Sequence, residues 1–167
     1  LRIGYVSPDF RKHSVSYFFS PLIRCHNRDQ VEIYCYSAVR LPDATTAKIR
    51  KMADHWRNIA WLPDAAAVEL IVTDQIDILI DMAGHTSNNR LPVFLKQPAP
   101  IQINWLGYPN TTGLKEMGYR FTDAIADPQG DADRFHSEKL IRLPEGFLCY
   151  EPPHHTPDVS QPPFERR

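Results

Sequence analysis

The stretch Ala99-Pro-Ile-Gln-Ile-Asn-Trp-Leu-Gly-Tyr-Pro-Asn-Thr-Thr-Gly113 begins as an apolar strand and ends in a loop of small and polar residues. The strand, 100–106, carries no charged side chain, which is typical of a strand inside a parallel sheet. The loop, 107–113, holds glycines and threonines, which let a ligand come close to backbone amides and hydroxyls. Ligands of parallel sheets bind at loops that follow the carboxyl ends of strands. The stretch therefore predicts a parallel sheet with a binding loop at its rim.

The rest of the chain repeats this alternation of short apolar runs and longer amphipathic stretches. Ser14 is the predicted N-cap of the first helix, and Asn89 is that of a short fourth helix. Strand alternating with helix predicts an α/β fold, a Rossmann-like parallel sheet flanked by helices with right-handed crossovers. The predicted strands are 1–6, 31–37, 55–60, 77–82, 100–106, 119–125 and 139–143, and the predicted helices are 14–25, 45–53, 64–73 and 90–96.

Composition narrows the class of protein. With 167 residues, of which 43% are hydrophobic and 23% charged, the chain is long enough to bury a core without disulfides or metals. A net charge of -1 gives no electrostatic reason to expect nucleic acid or an anionic membrane as partner. No apolar run approaches the roughly 18 residues of a membrane-spanning helix. Cys25, Cys35 and Cys149 lack the spacing of metal ligands, so we expect reduced core residues of a cytoplasmic protein.

The end of the chain differs in kind from the rest. The segment 151–167 holds five of the 15 prolines and has almost no apolar periodicity. Such a composition predicts an extended linker or arm. We therefore expect one lobe over 1–150, followed by an arm that leads to a further lobe outside this sequence.

Three predicted strand ends carry polar and titratable side chains: 7–13, 81–90 and 107–113. If their strands are neighbours, the three loops share one rim at the point where the strand order reverses. His13 lies just before a helix start, where the dipole favours a neutral imidazole that can act as general base, although an exposed loop histidine is the alternative. Asp9 either orients His13 or closes a turn. Asp81 either binds loop amides or points into the cleft with a raised pKa.

The other loop side chains leave alternatives open as well. Gly84 allows a sharp turn that brings His85 and Thr86 back over the rim. Tyr108 either stacks on a sugar or peptide or packs in the core. The spacing Asp-x3-His occurs at Asp9/His13 and again at 81/85, which fits a metal-assisted hydrolase. No other metal motif supports such a site, so we predict none.

These residues resemble a known family. The segments 2–13, 77–86, 98–113, 122–123 and 137–140 are similar, in order and spacing, to the N-terminal catalytic lobe of the O-linked N-acetylglucosamine transferases and their SPINDLY-type relatives. The resemblance implies one lobe of a GT-B enzyme that transfers a sugar from a nucleotide donor to protein Ser or Thr, with inversion and without a metal or other cofactor. It also implies preceding tetratricopeptide repeats, a C-terminal lobe that binds most of the nucleotide, and little activity of this lobe alone.

The resemblance assigns roles by position. His13 matches the histidine proposed as general base, and Thr86 matches a threonine on the donor side of the cleft. Asp9 and His85 lie beside them, and we predict that they bind the substrate or donor, together with the loop that follows. The family loop is matched by Gly107, Tyr108, Pro109, Thr111 and Thr112.

This sequence departs from the family pattern at three positions, so the identity of the base stays open. Tyr17 stands where animal members carry a second histidine, and Ala83 stands where they carry an asparagine. Asp81 also replaces an asparagine and is a rival base. The implied donor is UDP-N-acetylglucosamine, or GDP-fucose as in plant SPINDLY proteins, and a non-catalytic binding lobe is a further alternative.

Overall fold

A computed structural model describes residues 1–152, 157–162 and 164. Seven parallel strands form one sheet in the order β3-β2-β1-β4-β5-β6-β7. The predicted strands and helices all form, with ends that shift by a few residues. The elements are β1 (Arg2–Ser7), α1 (Ser14–Cys25), β2 (Glu32–Ser37), α2 (Ala44–Met52), β3 (His55–Asn58), α3 (Asp64–Thr73), β4 (Ile78–Asp81), α4 (Leu91–Phe94), β5 (Ile101–Asn104), β6 (Tyr119–Thr122), α5 (Asp131–Arg134) and β7 (Lys139–Arg142).

The one-turn helix α5 has no counterpart among the predicted elements. It holds no buried residue, so it lacks the apolar periodicity by which a helix is recognised in a sequence. The predicted arm lies partly outside the described residues, which omit 153–156, 163 and 165–167. At its start, Glu151 forms an ion pair with Arg24 of α1 at 2.7 Å.

Apolar residues form a core on each face of the sheet. Helices α1 and α2 cover one face, where Phe19, Ile23 and Ile49 are fully buried. Helices α3 and α4 cover the other, where Ile71 and Phe94 are fully buried. Each such side chain stabilises the fold by about 1.5–3 kcal/mol. The two-sided burial explains why the strands read as continuous apolar runs.

The connections place the reversal of strand order between β1 and β4. From β1 the chain moves outward to β2 and β3, then crosses back to β4 and continues to β7 on the other side. Right-handed crossovers in opposite directions put α1 and α2 on one face and α3 and α4 on the other. The crevice at the carboxyl ends of β1 and β4 is therefore the expected ligand site of this fold.

All three cysteines are free thiols, but the prediction that they lie in the core is right for Cys35 alone. Cys35 is buried in the core, but Cys25 is exposed and Cys149 is half-buried. Cys25 is the last residue of α1 and lies on its solvent side, which the apolar run around it did not indicate. In the described part of the chain, no helix is both long and apolar enough to cross a membrane.

Candidate active site

The three polar loops emerge side by side from the same end of the sheet. Strand β4 pairs with β1 through Asp81 and Val6, and with β5 through Asp81 and Asn104. Because these strands are parallel neighbours, the loops 8–13, 82–90 and 105–113 follow adjacent carboxyl ends. The structure thus confirms the predicted shared rim, and it places the reversal of strand order between the first two loops.

Two glycines bring the loops after β4 and β5 into backbone contact. A Cβ atom at Gly107 would lie 2.1 Å from the carbonyl oxygen of Met82. A Cβ atom at Gly84 would lie 2.4 Å from Cβ of Tyr108, and Gly84 has φ +54. Any other residue collides at both positions, so these glycines set the distance between the two loops.

His13 occupies the N-cap position of α1 that the sequence analysis assigned to Ser14. Its Nδ1 atom accepts a hydrogen bond from the amide of Val15 at 3.3 Å. The prediction of a Ser14 cap is therefore wrong, because an imidazole nitrogen fills the acceptor position one residue earlier. With Nδ1 accepting this bond, a neutral ring carries its proton on Nε2.

The carboxylate of Asp9 lies beside the His13 ring. The Asp9 side chain is 9% exposed, and its Oδ2 atom lies 3.8 Å from Nδ1 of His13. Its Oδ1 atom accepts a bond from Arg11 at 3.3 Å. Asp9 is thus placed to receive an N–H from Nδ1 if the imidazole ring leaves the amide of Val15.

Asp81 does not face the cleft. Its carboxylate is fully buried and accepts hydrogen bonds from the amides of Ala83 (3.1 Å) and Gly84 (2.8 Å) and from Nδ2 of Asn104 (2.8 Å). Burial raises its pKa, while these donors act in the opposite direction. Of the two roles predicted for Asp81, this geometry favours the binding of loop amides over that of a base.

The side chain of His85 joins two loops, whereas that of Thr86 bonds within its own loop. Nε2 of His85 lies 2.8 Å from the carbonyl oxygen of Thr112, to which it donates, and the His85 ring meets the edge of Tyr108 with centroids 5.3 Å apart. The Thr86 hydroxyl donates to the carbonyl oxygen of Ala83 at 2.8 Å. Tyr108 is half-buried against His85, so its ring takes part in loop packing.

The loop 107–113 has fewer free amides than its composition suggested. The N–H groups of Gly107, Thr111, Thr112 and Gly113 are hydrogen-bonded within the loop or to its neighbours. Pro109 has no N–H, and it is exposed at the tip of the loop. Among the residues that the structure describes, the amides of Tyr108 and Asn110 have no hydrogen-bond partner and are left to face a ligand.

Two buried charged residues, Arg120 and Glu138, hold this loop in place. Neither was assigned a role from the sequence. Arg120, 2% exposed on β6, donates from Nη1 to the carbonyl oxygens of Tyr108 and Asn110, each at 3.0 Å. Glu138, 4% exposed before β7, accepts from the amide of Thr112 and the hydroxyl of Thr111, each at 2.7 Å, and from the Thr112 hydroxyl. A charged residue within a short apolar strand is unusual, and this feature of the sequence could have identified Arg120.

The pKa values of both residues respond to burial. Burial alone would raise the pKa of Glu138, but the bonds donated by Thr112 and Thr111 outweigh it, and the pKa is lowered. Burial lowers the pKa of Arg120, and the negative charges of Asp127 and Glu138 oppose this. Glu138 is therefore an anion at neutral pH, and it accepts every bond that the loop donates to it.

The two Asp-x3-His pairs do not converge on a metal site. Asp81 and His85 direct their polar atoms to different partners, as described above. Among residues 1–152, 157–162 and 164, no group of three or more His, Cys, Asp or Glu side chains is arranged to hold a metal ion. This geometry does not favour the metal-assisted hydrolase.

The sequence profile of glycosyl transferase family 41 matches residues 1–158. The chain belongs to this family. A probable UDP-N-acetylglucosamine–peptide N-acetylglucosaminyltransferase SPINDLY from Oryza sativa subsp. japonica is 46% identical over 91% of this chain and 17% of its own. The UDP-N-acetylglucosamine–peptide N-acetylglucosaminyltransferase of Caenorhabditis elegans is 41% identical over 89% of this chain and 13% of its own.

A solved structure agrees with the family 41 assignment. A mutant Thermobaculum terrenum O-GlcNAc transferase matches with a TM-score of 0.92 and 41% identity, over 96% of this chain and 31% of that chain. This match confirms the predicted Rossmann-like lobe of GT-B type. The chain thus spans less than a fifth of the two curated relatives and under a third of the solved transferase.

Proposed function

We propose that this chain is the acceptor-side lobe of an inverting protein O-glycosyltransferase that moves a sugar from a nucleotide donor to a Ser or Thr hydroxyl. The observation that carries the proposal is the shared rim, on which a family 41 chain brings His13 and Asp9 beside the glycine-joined loops after β4 and β5. Because the curated relatives are named as transferases that use UDP-N-acetylglucosamine, we propose that sugar nucleotide as the donor.

His13 is the proposed general base. The acceptor oxygen attacks the anomeric carbon while the bond to the nucleotide oxygen breaks, and the hydroxyl proton passes to Nε2 of His13. Nε2 accepts a proton only if the ring carries its hydrogen on Nδ1. The ring therefore exchanges its bond from the Val15 amide for one to the Asp9 carboxylate, which starts 3.8 Å away. Such a base contributes about 10² to 10⁴ in rate.

Hydrogen-bond donors must stabilise the negative charge of the leaving diphosphate, and this lobe supplies few of them. Among the residues that the structure describes, the loop after β5 leaves only the amides of Tyr108 and Asn110 for a ligand, because the Thr111 hydroxyl already donates to Glu138. Most donors must therefore come from another part of the protein. We assign them to a C-terminal lobe, with tetratricopeptide repeats presenting the acceptor, no metal in the reaction, and little activity of this lobe alone. We place the complete enzyme in the cytoplasm.

The experiment that tests the reaction is a donor screen with the complete protein. UDP-N-acetylglucosamine and GDP-fucose are each incubated with an acceptor protein, with and without EDTA, and the product is read by mass spectrometry. We expect a mass increase of one N-acetylhexosamine that EDTA leaves unchanged. Transfer of fucose would assign the SPINDLY-type O-fucosyltransferase instead, and transfer of neither sugar would leave the non-catalytic lobe.

Variants of His13 test the base without losing the helix cap. Asparagine is a good N-cap residue, so His13→Asn keeps the bond to the Val15 amide but removes the imidazole. We expect kcat to fall about 100-fold or more while the Kd for the nucleotide changes less than about threefold. His55→Ala is the control, because His55 binds Glu32 at the opposite end of the sheet. Turnover of His13→Asn within about threefold of wild type would remove His13 as base.

A further inference from the structure

Three polar side chains form a continuous buried row across the inner strands β4, β5 and β6. Asp81, Asn104 and Arg120 are register partners on these neighbouring strands, with exposures of 0%, 0% and 2%. Asn104 donates from Nδ2 to Asp81 at 2.8 Å and accepts a bond from Nη1 of Arg120 through its Oδ1. Because buried polar groups are costly without partners, each member of the row depends on the next.

The two ends of this row hold different loops. At one end, Asp81 accepts the amides of Ala83 and Gly84 in the loop after β4. At the other end, Arg120 donates to the carbonyl oxygens of Tyr108 and Asn110 in the loop after β5. The row is thus a direct hydrogen-bonded link, through the sheet, between the two loops that the glycines bring into contact.

Arg120 donates these hydrogen bonds from a single nitrogen, Nη1. The two N–H groups of Nη1 are shared among Asn104 and both carbonyl oxygens. Within the described part of the chain, the buried Nε has no hydrogen-bond partner, and it lies 4.0 Å from Oδ2 of Asp127. Asp127 and Glu138 balance the buried positive charge. A lysine ammonium would retain the charge, but its side chain is one bond shorter than the path to Nη1, so Nζ falls short of the three acceptors that Nη1 reaches.

We propose that Arg120 is a positioning residue, which acts through Asn104 and Asp81 to hold the loops after β4 and β5 in one fixed arrangement. The inference rests on the proposed function in one respect: those loops are taken to form one wall of the sugar-transfer site. When Nη1 is removed, two loop carbonyl oxygens and the Asn104 amide lose their donor, and both loops loosen together.

The test uses the complete transferase with Arg120→Lys and Arg120→Met. The control is Arg57→Met, because Arg57 makes a two-bond ion pair with Asp74 (3.0 and 2.7 Å) from β3, at the far edge of the sheet. Amide hydrogen exchange is measured for peptides covering 82–86 and 107–113, and thermal unfolding, kcat and KM are measured on the same samples.

For both Arg120 variants we expect exchange at least tenfold faster in both loops, with kcat/KM at least tenfold lower. We expect Arg57→Met to lower the melting temperature without changing either loop. Faster exchange confined to 107–113, or no change in either loop, overturns the proposal. Arg120→Lys keeps a buried charge, so it gives a result even if the methionine variant does not fold.

Exchange separates this proposal from the proposed function. If the wild-type protein transfers no sugar, the proposed function fails, and the exchange of the two loops still decides whether Arg120 positions them. If sugar transfer is observed but Arg120→Lys and Arg120→Met exchange like wild type, the positioning role alone fails.

Discussion

The loops after β1 and β5 lie on the same rim but are built differently. In the loop after β1, the His13 ring accepts a 3.3 Å hydrogen bond from the Val15 amide and is partly exposed. The loop after β5 is fixed by the close approach of Gly107 to the loop after β4, and by the buried Arg120 and Glu138. The difference fits the proposed division of roles, in which a movable His13 ring accepts the proton and the loop after β5 forms a rigid wall of the site.

The largest expected effect is the loss of stability caused by a substitution at Gly107, where the loop after β5 has no space for a side chain. Gly107→Ala places a methyl group 2.1 Å from the carbonyl oxygen of Met82, so the two loops must separate. We expect a loss of about 3 kcal/mol or more in the free energy of unfolding, and loss of activity. Gly118→Ala is the matched control, because its nearest neighbour would be 3.8 Å away. Urea unfolding measures the free energy of unfolding of both variants. Equal values would show that the loop after β5 adjusts to the added methyl group and is not rigid.

A second, intermediate effect concerns the movable side of the rim. Asp9→Asn keeps an acceptor near Nδ1 of His13 but removes the negative charge that stabilises an imidazolium. We expect kcat to fall about tenfold, with the KM for the donor unchanged. Arg11→Met is the control, since it removes the other partner of Asp9 and leaves His13 in place. Steady-state kinetics check this prediction, and a rise in KM without a change in kcat would contradict it.

The smallest expected effect is the pH dependence of the stability that Glu138 contributes through the loop after β5. The folded pKa of Glu138 lies below its usual value of 4.5, so Glu138 stabilises the fold above that value. This contribution is lost as the pH falls from 4.5 through the folded pKa. We therefore expect Glu138→Gln to cost about 1–2 kcal/mol at pH 7 and progressively less below pH 4.5. Unfolding curves at pH 7, 5 and 4 measure it, and a pH-independent difference would contradict the assignment.

Most of the architecture could be predicted because local patterns report it. Short apolar runs such as 77–82 mark strands that are buried on both faces, and their alternation with helices indicates that the strands are parallel. Helix α5 escaped prediction because it buries nothing, and the N-cap at Ser14 was wrong because an imidazole nitrogen fills that role. Local patterns thus predict elements well, and they predict the side chain that completes an element less well.

The sequence by itself determined that strands alternate with helices, that three strand ends carry polar loops, and that His13 is a candidate base, because periodicity, spacing and the family resemblance report these features. The tertiary structure decided the strand order that brings the three loops to one rim. Only the tertiary structure decided which charges face the cleft. It turned Asp81 inward to the amides of its own loop and placed Arg120 and Glu138 behind the loop after β5. The physical reason is that the direction of a buried charge depends on hydrogen-bond partners distant in sequence, and those partners meet only when the strands pair.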